Sequence, residues 1–289
     1  MHGQARALTR LCHKLGYDEW GHHREGRTLV FLGDLNNKGP RNHRVIRQVT
    51  AWVEAGRAQA IMGNHEWESL AWSLTDKGGR PLLAHTPEQR AKMAEFLKVK
   101  KKNPFAYKRH LKFFKSRPLW IETGEFRCIH ACWDEASVDY LKGKLGEDGH
   151  VRKRDIRKAF REGSKMEAAT QTVLTGPRLD LPKKAMRSLG KTDTRMRWWL
   201  PEDTDIAGLA MLKAKTPKSL KGRLPKSRPV YSSDIPVFFG HYHLKEAPSL
   251  TAPNAVCLDF GAGSGRRLTA YRWSGESEIS ESRLVSVRV

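Results

Sequence analysis

Residues 33–66 read GDLNNKGPRNHRVIRQVTAWVEAGRAQAIMGNHE, and they connect two apolar runs that both predict strands. The first run, residues 28–32, ends at Gly33-Asp34, and the second, residues 58–62, ends at Gly63-Asn64-His65. Between them, the apolar residues of 42–55 recur at helical spacing. The pattern therefore predicts two parallel strands. Asp34 and the Asn64-His65 pair lie just past their carboxyl ends, the edge where open α/β sheets bind ligands.

Metal-binding side chains follow other predicted strands as well. The run of residues 126–132 carries His130 near its end, and residues 236–239 lead into Gly240-His241-Tyr242-His243. His241 and His243 are two apart in extended chain and would point to the same side. Mixed His, Asp and Asn ligands suit Mn, Fe or Zn rather than Ca or Mg alone. Two such ions can clamp both oxygens of an in-line phosphoryl displacement, so the pattern predicts a metal site for this chemistry.

The composition is strongly basic, with 53 Lys and Arg against 31 Asp and Glu, a formal net charge of +22. This excess indicates either a solvated basic surface or attraction to polyanions such as nucleic acid, nucleotides or phosphoproteins. Two segments, residues 98–117 and 213–228, contain no acidic residue. The first is interpreted either as an amphipathic helix with its aromatics packed inward or as a polyanion-binding face with stacking aromatics.

Cysteine content and hydropathy predict the compartment. Four cysteines in a chain of 289 residues are not a disulfide framework, and structural core thiols are the favoured interpretation of Cys128 and Cys132. The sequence has no apolar run of about 18 residues and no charged-then-apolar leader. We therefore expect a soluble, cytoplasmic protein without a membrane contact.

The remaining segments predict one domain over residues 1–289 with an insertion. Residues 118–122 and 126–132 are expected to form a hairpin, and residues 255–260, 268–273 and 282–289 three final antiparallel strands. The basic, mainly helical region of about 134–232 is interpreted as an insertion that caps the site. The predicted fold class is α/β.

Taken together, Gly-Asp-x2-Asn-Lys-Gly-Pro at 33–40, Gly-Asn-His-Glu at 63–66, the isolated His130 and Gly-His-x-His at 240–243 resemble the ordered motifs of the calcineurin-like metallophosphoesterases. This superfamily includes the bacterial protein-phosphatase and symmetrical diadenosine-polyphosphate hydrolase branch. The resemblance runs from residue 2 to about residue 272. It implies a four-layer α/β/β/α sandwich that hydrolyses phosphate esters or phosphoanhydrides by in-line attack of a metal-bridging hydroxide. The implied substrates are phosphoproteins, dinucleoside polyphosphates or nucleic-acid ends.

The resemblance also implies a role for each site residue. Asp34 would bridge two divalent ions, with Mn the first choice and Fe or Zn the alternatives. The other ligands would be His2 and His243 on the first ion, and Asn64, His130 and His241 on the second. His65 would be the general acid, oriented by Asn37, and Lys38 and Asn64 would bind the substrate phosphate.

Three departures from the family pattern fall in this site. The family motif opens Asp-x-His-Gly-Gln, whereas this chain opens Met1-His2-Gly3-Gln4. Either the first-metal Asp and its strand lie ahead of residue 1, which is the favoured interpretation, or the protein lacks one ligand and an inner strand. Asn37 stands where the family has Asp and has no charge to favour a protonated His65. Lys38 stands where the family has Arg and lacks the bidentate fork. These changes predict a weakened or retuned enzyme. The alternative is a degenerate phosphoesterase that binds nucleic acid or another polyanion.

Overall fold

The computed structural model describes residues 1–212, 220 and 228–289. In this part of the chain the helices are α1 (Ala5–Lys14), α2 (Asn42–Glu54), α3 (Asn64–Trp72), α4 (Pro87–Lys102), α5 (Pro104–Lys115), α6 (Glu135–Leu145), α7 (Lys153–Ala159), α8 (Lys165–Thr175), α9 (Lys183–Leu189) and α10 (Ile206–Leu209). The strands are β1 (Leu29–Phe31), β2 (Ala58–Ala60), β3 (Trp120–Glu122), β4 (Arg127–Ile129), β5 (Arg178–Asp180), β6 (Asp193–Met196), β7 (Ala210–Met211), β8 (Val237–Phe239), β9 (Ala255–Cys257), β10 (Arg267–Tyr271) and β11 (Leu284–Arg288).

The strand–helix–strand unit predicted from residues 28–66 is confirmed. β1 and β2 pair in parallel, with Leu29 opposite Ala58. Helix α2 connects them and buries Val45, Ile46 and Val49 completely. The helical spacing of these side chains places them on one stripe that packs inward. The loops after β1 and β2 consequently start at the same sheet edge.

A four-stranded sheet supplies the other half of the site. Its order is β3-β4-β8-β9, with the predicted β3–β4 hairpin at one edge. β8 pairs in parallel with both β4 and β9, so His130 and His241 emerge from neighbouring strands at one edge. The expectation of three final antiparallel strands was wrong for the first of them, because β9 runs parallel to β8. Parallel pairing needs a crossover of about a dozen residues or more, and residues 240–254 provide it.

The basic helices α4 and α5 pack mostly as the amphipathic interpretation predicts. Asn103 ends α4 and caps α5, with its side chain accepting a hydrogen bond from the backbone N–H of Ala106. Tyr107, Phe113 and Phe114 are buried, and Phe114 is fully so. Phe105 behaves differently, since 72% of its surface is exposed.

A separate apolar cluster lies within the range expected to form the cap. Strands β5, β6 and β7 make an antiparallel sheet. With α9 and α10 this sheet buries Leu179, Ala185, Met196 and Leu209, a cluster distinct from the main core. The second acid-free basic segment, residues 213–228, lies outside the described residues except at positions 220 and 228.

The whole is a mixed α/β fold with buried thiols. All four cysteines are free and buried, as expected for core residues. Burial raises the pKa of Cys128 to about 12, which leaves its thiol protonated. Within the described residues, no helix combines the length and the apolar character that a membrane span requires.

Candidate metal centre

The backbone of the site adopts a conformation that is rare outside glycine. In the described chain, six non-glycine residues have positive φ angles: His2, Asp34, Asn37, Lys38, His241 and His243. Left-handed backbone is unfavourable for residues with a Cβ atom, and such strain concentrates at functional sites. All six are residues that the sequence assigned to the site, and the structure brings them to one sheet edge.

Asp34 lies at the centre, with one histidine on each of its oxygens. Its Oδ2 is 3.3 Å from His2 Nε2, and its Oδ1 is 3.3 Å from His130 Nε2. Burial by itself raises the pKa of the Asp34 carboxyl, but the imidazoles of His130, His65 and His2 outweigh it and hold the pKa well below its usual range. Asp34 is therefore an anion whose two oxygens face different histidines, as a bridging ligand requires.

Hydrogen bonds on the far side of both rings fix their tautomers. His2 Nδ1 donates to the carbonyl of Asn36 at 3.0 Å, and His130 Nδ1 donates to the carbonyl of Leu32 at 2.6 Å. Each Nε2 thus presents a lone pair toward a carboxylate oxygen, an arrangement typical of metal-ligating histidines. Facing acceptor atoms repel unless a cation lies between them, so these residues fit a divalent metal.

A third acceptor completes the group around His130. Asn64 Oδ1 lies 3.1 Å from His130 Nε2 and 3.0 Å from His241 Nδ1. The ligand atoms of Asp34, His130 and His241 all lie within 4.8 Å of one another. The structure therefore gathers the four residues expected to serve the second ion.

The expected first-ion ligands are arranged around a lysine. Lys38 Nζ lies 3.3 Å from His2 Nε2 and 3.1 Å from His243 Nε2. His243 is held on its other side by Asp259, whose Oδ2 is 3.1 Å from His243 Nδ1 and accepts the His243 backbone N–H. The ammonium group thus occupies the space where the two imidazole nitrogens converge.

His65 has a partner that leaves it neutral. The Asn37 amide nitrogen donates to His65 Nδ1 at 2.8 Å, which leaves the ring proton on Nε2. Burial lowers the pKa of His65 to about 4, although the Asp34 carboxylate acts in the opposite direction. The ligand atoms of His65, His2 and Asp34 lie within 4.8 Å of one another. His65 is therefore close enough to the centre to act on a group bound there.

The sequence of the chain matches a family with this chemistry. The model of the family described as calcineurin-like phosphoesterase matches residues 1–167, more than half of the chain. This chain belongs to the calcineurin-like phosphoesterases. The family resemblance read from the motifs is thereby confirmed.

Individual relatives of this phosphoesterase carry related names. The asymmetrical bis(5'-nucleosyl)-tetraphosphatase PrpE of Bacillus subtilis (strain 168) is 34% identical over 136 residues, 45% of this chain and 54% of that protein. The symmetrical bis(5'-nucleosyl)-tetraphosphatase of Bordetella pertussis is 26% identical over 260 residues, 89% of this chain and 83% of that protein. The alignment thus spans only about half the length of the first relative. A solved structure of a putative diadenosine tetraphosphatase aligns with 99% of this chain and 89% of its own, with a TM-score of 0.47 and 19% identity.

Glu66 is a site residue of the phosphoesterase to which the sequence gave no role. Its carboxylate accepts backbone N–H groups from Asp34 at 2.7 Å, Leu35 at 2.9 Å and Gly63 at 3.0 Å. Burial and the Asp34 carboxylate raise the pKa of Glu66 to about 7. Glu66 therefore clamps the loop after β1 to the loop after β2. In the sequence, only its position directly after His65 pointed to a role in the site.

Arg195 is a second residue that sequence reasoning missed. It lies on β6, and its Nη1 donates to the carbonyl of His241 at 2.9 Å. Burial lowers the pKa of Arg195, while Asp259 and Asp34 are near enough to act in the opposite direction. A positive side chain from the range expected to form the cap thus contacts the backbone of the candidate metal centre. No spacing in the sequence links position 195 to the site.

Proposed function

We propose that this phosphoesterase hydrolyses the phosphoanhydride bridge of dinucleoside polyphosphates, with two divalent ions held around Asp34. The observation that carries the proposal is the pair of Nε2 lone pairs, on His2 and His130, that face opposite oxygens of one carboxylate. The tetraphosphatase names of the relatives support this substrate class over phosphoproteins and nucleic-acid ends.

The ligand sets are proposed as the sequence assigned them. His2 and His243 would hold the first ion, Asn64, His130 and His241 the second, and Asp34 both. Bound divalent ions would neutralise phosphate charge and lower the pKa of a coordinated water. Mn is the proposed metal, with Fe and Zn as alternatives, because the donor set mixes imidazole nitrogen with carboxylate and amide oxygen.

The remaining side chains would position the substrate and move its proton. His65 carries its proton on Nε2 because Asn37 donates to Nδ1, so the neutral ring can donate a hydrogen bond to the leaving oxygen, and its imidazolium form can give that oxygen a proton. Lys38, Asn64 and Arg195 would bind phosphate oxygens, and charge-assisted hydrogen bonds from Lys and Arg are the stronger kind. Asn37 lacks the charge of the family Asp and Lys38 lacks the fork of the family Arg, which supports a weakened or retuned rate.

The four-layer sandwich and its first strand form a further part of the proposal. β1 pairs only with β2 and β10 only with β11 among the described strands. A cavity of about 410 Å³ lies between them, lined by apolar side chains that include Leu11, Val30, Phe238 and Tyr271. One extended segment placed there would have a strand edge on each side. This cavity supports a strand contributed by residues ahead of position 1, as the Asp-x-His motif implies.

The cap and the compartment are proposed on similar grounds. A cap over about residues 134–232 is supported by the separate apolar cluster around Leu179 and by the reach of Arg195. A cytoplasmic location is supported by the four free cysteines.

The test is hydrolysis of diadenosine tetraphosphate with and without Mn, followed by separation of the nucleotide products. Cleavage at the centre of the bridge gives two molecules of ADP, and cleavage off centre gives ATP and AMP. We expect Mn-dependent turnover that Asp34→Asn removes while leaving the fold intact by circular dichroism. p-Nitrophenyl phosphate serves as a general ester control. If neither substrate is turned over above the Asp34→Asn background, also with the in-frame residues ahead of position 1 included, the phosphoesterase proposal fails and the degenerate binder gains support.

A further inference from the structure

A small cleft between α2 and α5 lies outside the metal centre. It encloses about 210 Å³ and is lined from one side by His43, Arg47 and Thr50 and from the other by Phe105 and Arg109. Pockets for drug-sized ligands run to roughly 300–1,000 Å³. This cleft is therefore sized for one ring of a larger molecule rather than for a whole small ligand.

An aromatic side chain stands at the mouth of the cleft. Phe105 is 72% exposed, although the neighbouring aromatic residues of α5 are buried. A single exposed phenylalanine is unremarkable by itself. Here its side chain lines a cleft of ring size, so it is available to stack on a planar group that enters the cleft.

A buried hydroxyl at the cleft lacks a partner. Thr50 is 8% exposed, and its Oγ1 has no hydrogen-bond partner among the described residues. Threonine in a helix can take either of two χ1 rotamers. The Thr50 hydroxyl can therefore turn toward a polar edge of a ring bound in the cleft. Two other lining residues pair with each other, with His43 Nδ1 2.9 Å from His110 Nε2.

Positive charge surrounds the cleft and extends beyond it. Arg47 and Arg109 on the rim are exposed, as are Lys100, Lys101, Lys102, Lys108 and Lys112 on the adjoining helices. Glu54 is the acidic residue of the lining. In the described part of α4 and α5, Lys98 and Lys92 are the cations that form ion pairs, with Glu95 and Glu68. The rest remain uncompensated, which produces a positive potential over the face.

We propose that this face binds single-stranded nucleic acid, with one unstacked base in the α2–α5 cleft and the phosphates on the surrounding Arg and Lys side chains. An aromatic ring for a base together with a row of cations for the backbone is the combination that single-strand binding uses. An acidic polypeptide would pair with the cations, and competition with polyglutamate tests that alternative. The row of lysines extends past one nucleotide, which favours a strand over a free nucleotide.

The test is fluorescence anisotropy with a labelled oligouridylate of about ten nucleotides, without terminal phosphates and in the presence of a chelator. Under these conditions binding is measured independently of hydrolysis, so its outcome does not depend on the proposed enzymatic function. We expect Phe105→Ala to weaken binding about 5- to 150-fold, the range for loss of one stacked base. Thr50→Val, which keeps the shape, should weaken it about three- to tenfold. Arg109→Gln should reduce the salt slope by about 0.7.

Two control variants match these changes elsewhere on the surface. Trp20→Ala removes the other large exposed apolar side chain among the described residues, and Arg187→Gln removes an exposed cation of α9. Equal effects of Phe105→Ala and Trp20→Ala, or equal affinity for duplex and single strand, would overturn the proposal in favour of non-specific charge attraction. Displacement of the oligonucleotide by polyglutamate at equal charge concentration, or by uridine monophosphate as effectively as by the strand, would overturn it as well.

Discussion

The Lys38 ammonium nitrogen lies 3.1 Å from Nε2 of His243 and 3.3 Å from Nε2 of His2. A cation at the first metal position must therefore displace Lys38 or share the space with it. Burial lowers the pKa of Lys38, against the attraction of Asp34 and Asp259. Lys38 would thus compete with the first ion of the proposed pair, and this competition can be measured.

Removing the ammonium should tighten metal binding and weaken catalysis. In Lys38→Met, we expect the weaker of two Mn sites to gain about tenfold or more in affinity, because like charges no longer adjoin. The rate should fall, because the substrate phosphate loses a positive partner. Isothermal titration with elemental analysis reports the metal, and Lys77→Met is the control at an exposed lysine. Unchanged Mn affinity would exclude competition by Lys38.

Restoring a carboxylate beside His65 should move the pH profile. In Asn37→Asp, the new charge lies within hydrogen-bonding reach of Nδ1 and should raise the His65 pKa from about 4 by roughly 1–3 units. More of the ring is then protonated at neutral pH, so kcat should rise, by up to about tenfold per unit of pKa. A kcat–pH profile checks this. Asn37→Leu, which removes the hydrogen bond without adding charge, should lower kcat instead.

Arg195 is expected to act on substrate. In Arg195→Gln, kcat/KM for the dinucleoside polyphosphate should fall about 10- to 100-fold, the range for loss of a hydrogen bond to a charged group. Arg178 lies opposite Arg195 in the β5–β6 register and pairs with Asp193, so Arg178→Gln is the matched control. Equal losses in both variants would indicate a general role in the stability of the cap rather than contact with substrate.

The close approach of the two site loops should make Gly33 irreplaceable. Its φ is +83°, and an added Cβ would lie 2.4 Å from the Gly63 nitrogen. Gly33→Ala should therefore lower the free energy of unfolding by at least about 3 kcal/mol. Gly26 also has a positive φ, of +68°, but an added Cβ there would meet no atom within 4 Å. Gly26→Ala should lower the free energy of unfolding by only about 1–2 kcal/mol. Urea denaturation of both variants therefore separates the cost of steric overlap from the cost of the backbone conformation.

The burial of His110 should make one contribution to stability fall as the pH drops below about 6.5. Burial, with the neighbouring His43 and Arg109, lowers the pKa of His110 to about 3. The unfolded chain takes up this proton near pH 6.5 and the folded chain does not, so the contribution is fully present above pH 6.5 and is lost as pH falls. The loss should approach about 1.4 kcal/mol per pH unit. Urea denaturation between pH 7.5 and 5 checks it. His110→Gln should flatten the profile, whereas exposed His22→Gln should not.

The site was predictable from the sequence where local chain direction decides it. Asp34, Asn64, His130 and His241 each follow a strand whose apolar run is visible, and parallel pairing brings those strand ends together. The direction of β9 was not predictable, since a crossover of residues 240–254 and a hairpin leave the same apolar pattern. Arg195 and Asp259 reach the site through tertiary packing alone.

The basic stretch at 98–117 had two interpretations, an amphipathic helix with inward aromatics and a polyanion-binding face. The burial of each aromatic residue shows which interpretation applies to it. Tyr107, Phe113 and Phe114 face the core as helical periodicity predicts. Phe105 follows Pro104 in the first turn of α5, where the helix projects past the core, and stays in solvent. Periodicity predicts which face of a helix is apolar, but it does not predict where along the helix that face stops packing against the core.

The six non-glycine residues of the site with positive φ angles also limit how the thermal stability of the protein can be increased. Each carries roughly 1–2 kcal/mol of backbone strain that glycine would release, against a net stability of about 5–15 kcal/mol for a typical domain. Selection for thermal resistance alone would therefore favour glycine at positions such as Lys38 and Asn37, and each such gain would delete a side chain of the proposed site. An evolved library screened only for solubility or heat tolerance should drift toward robust, inactive proteins. Turnover has to be part of the screen from the first round.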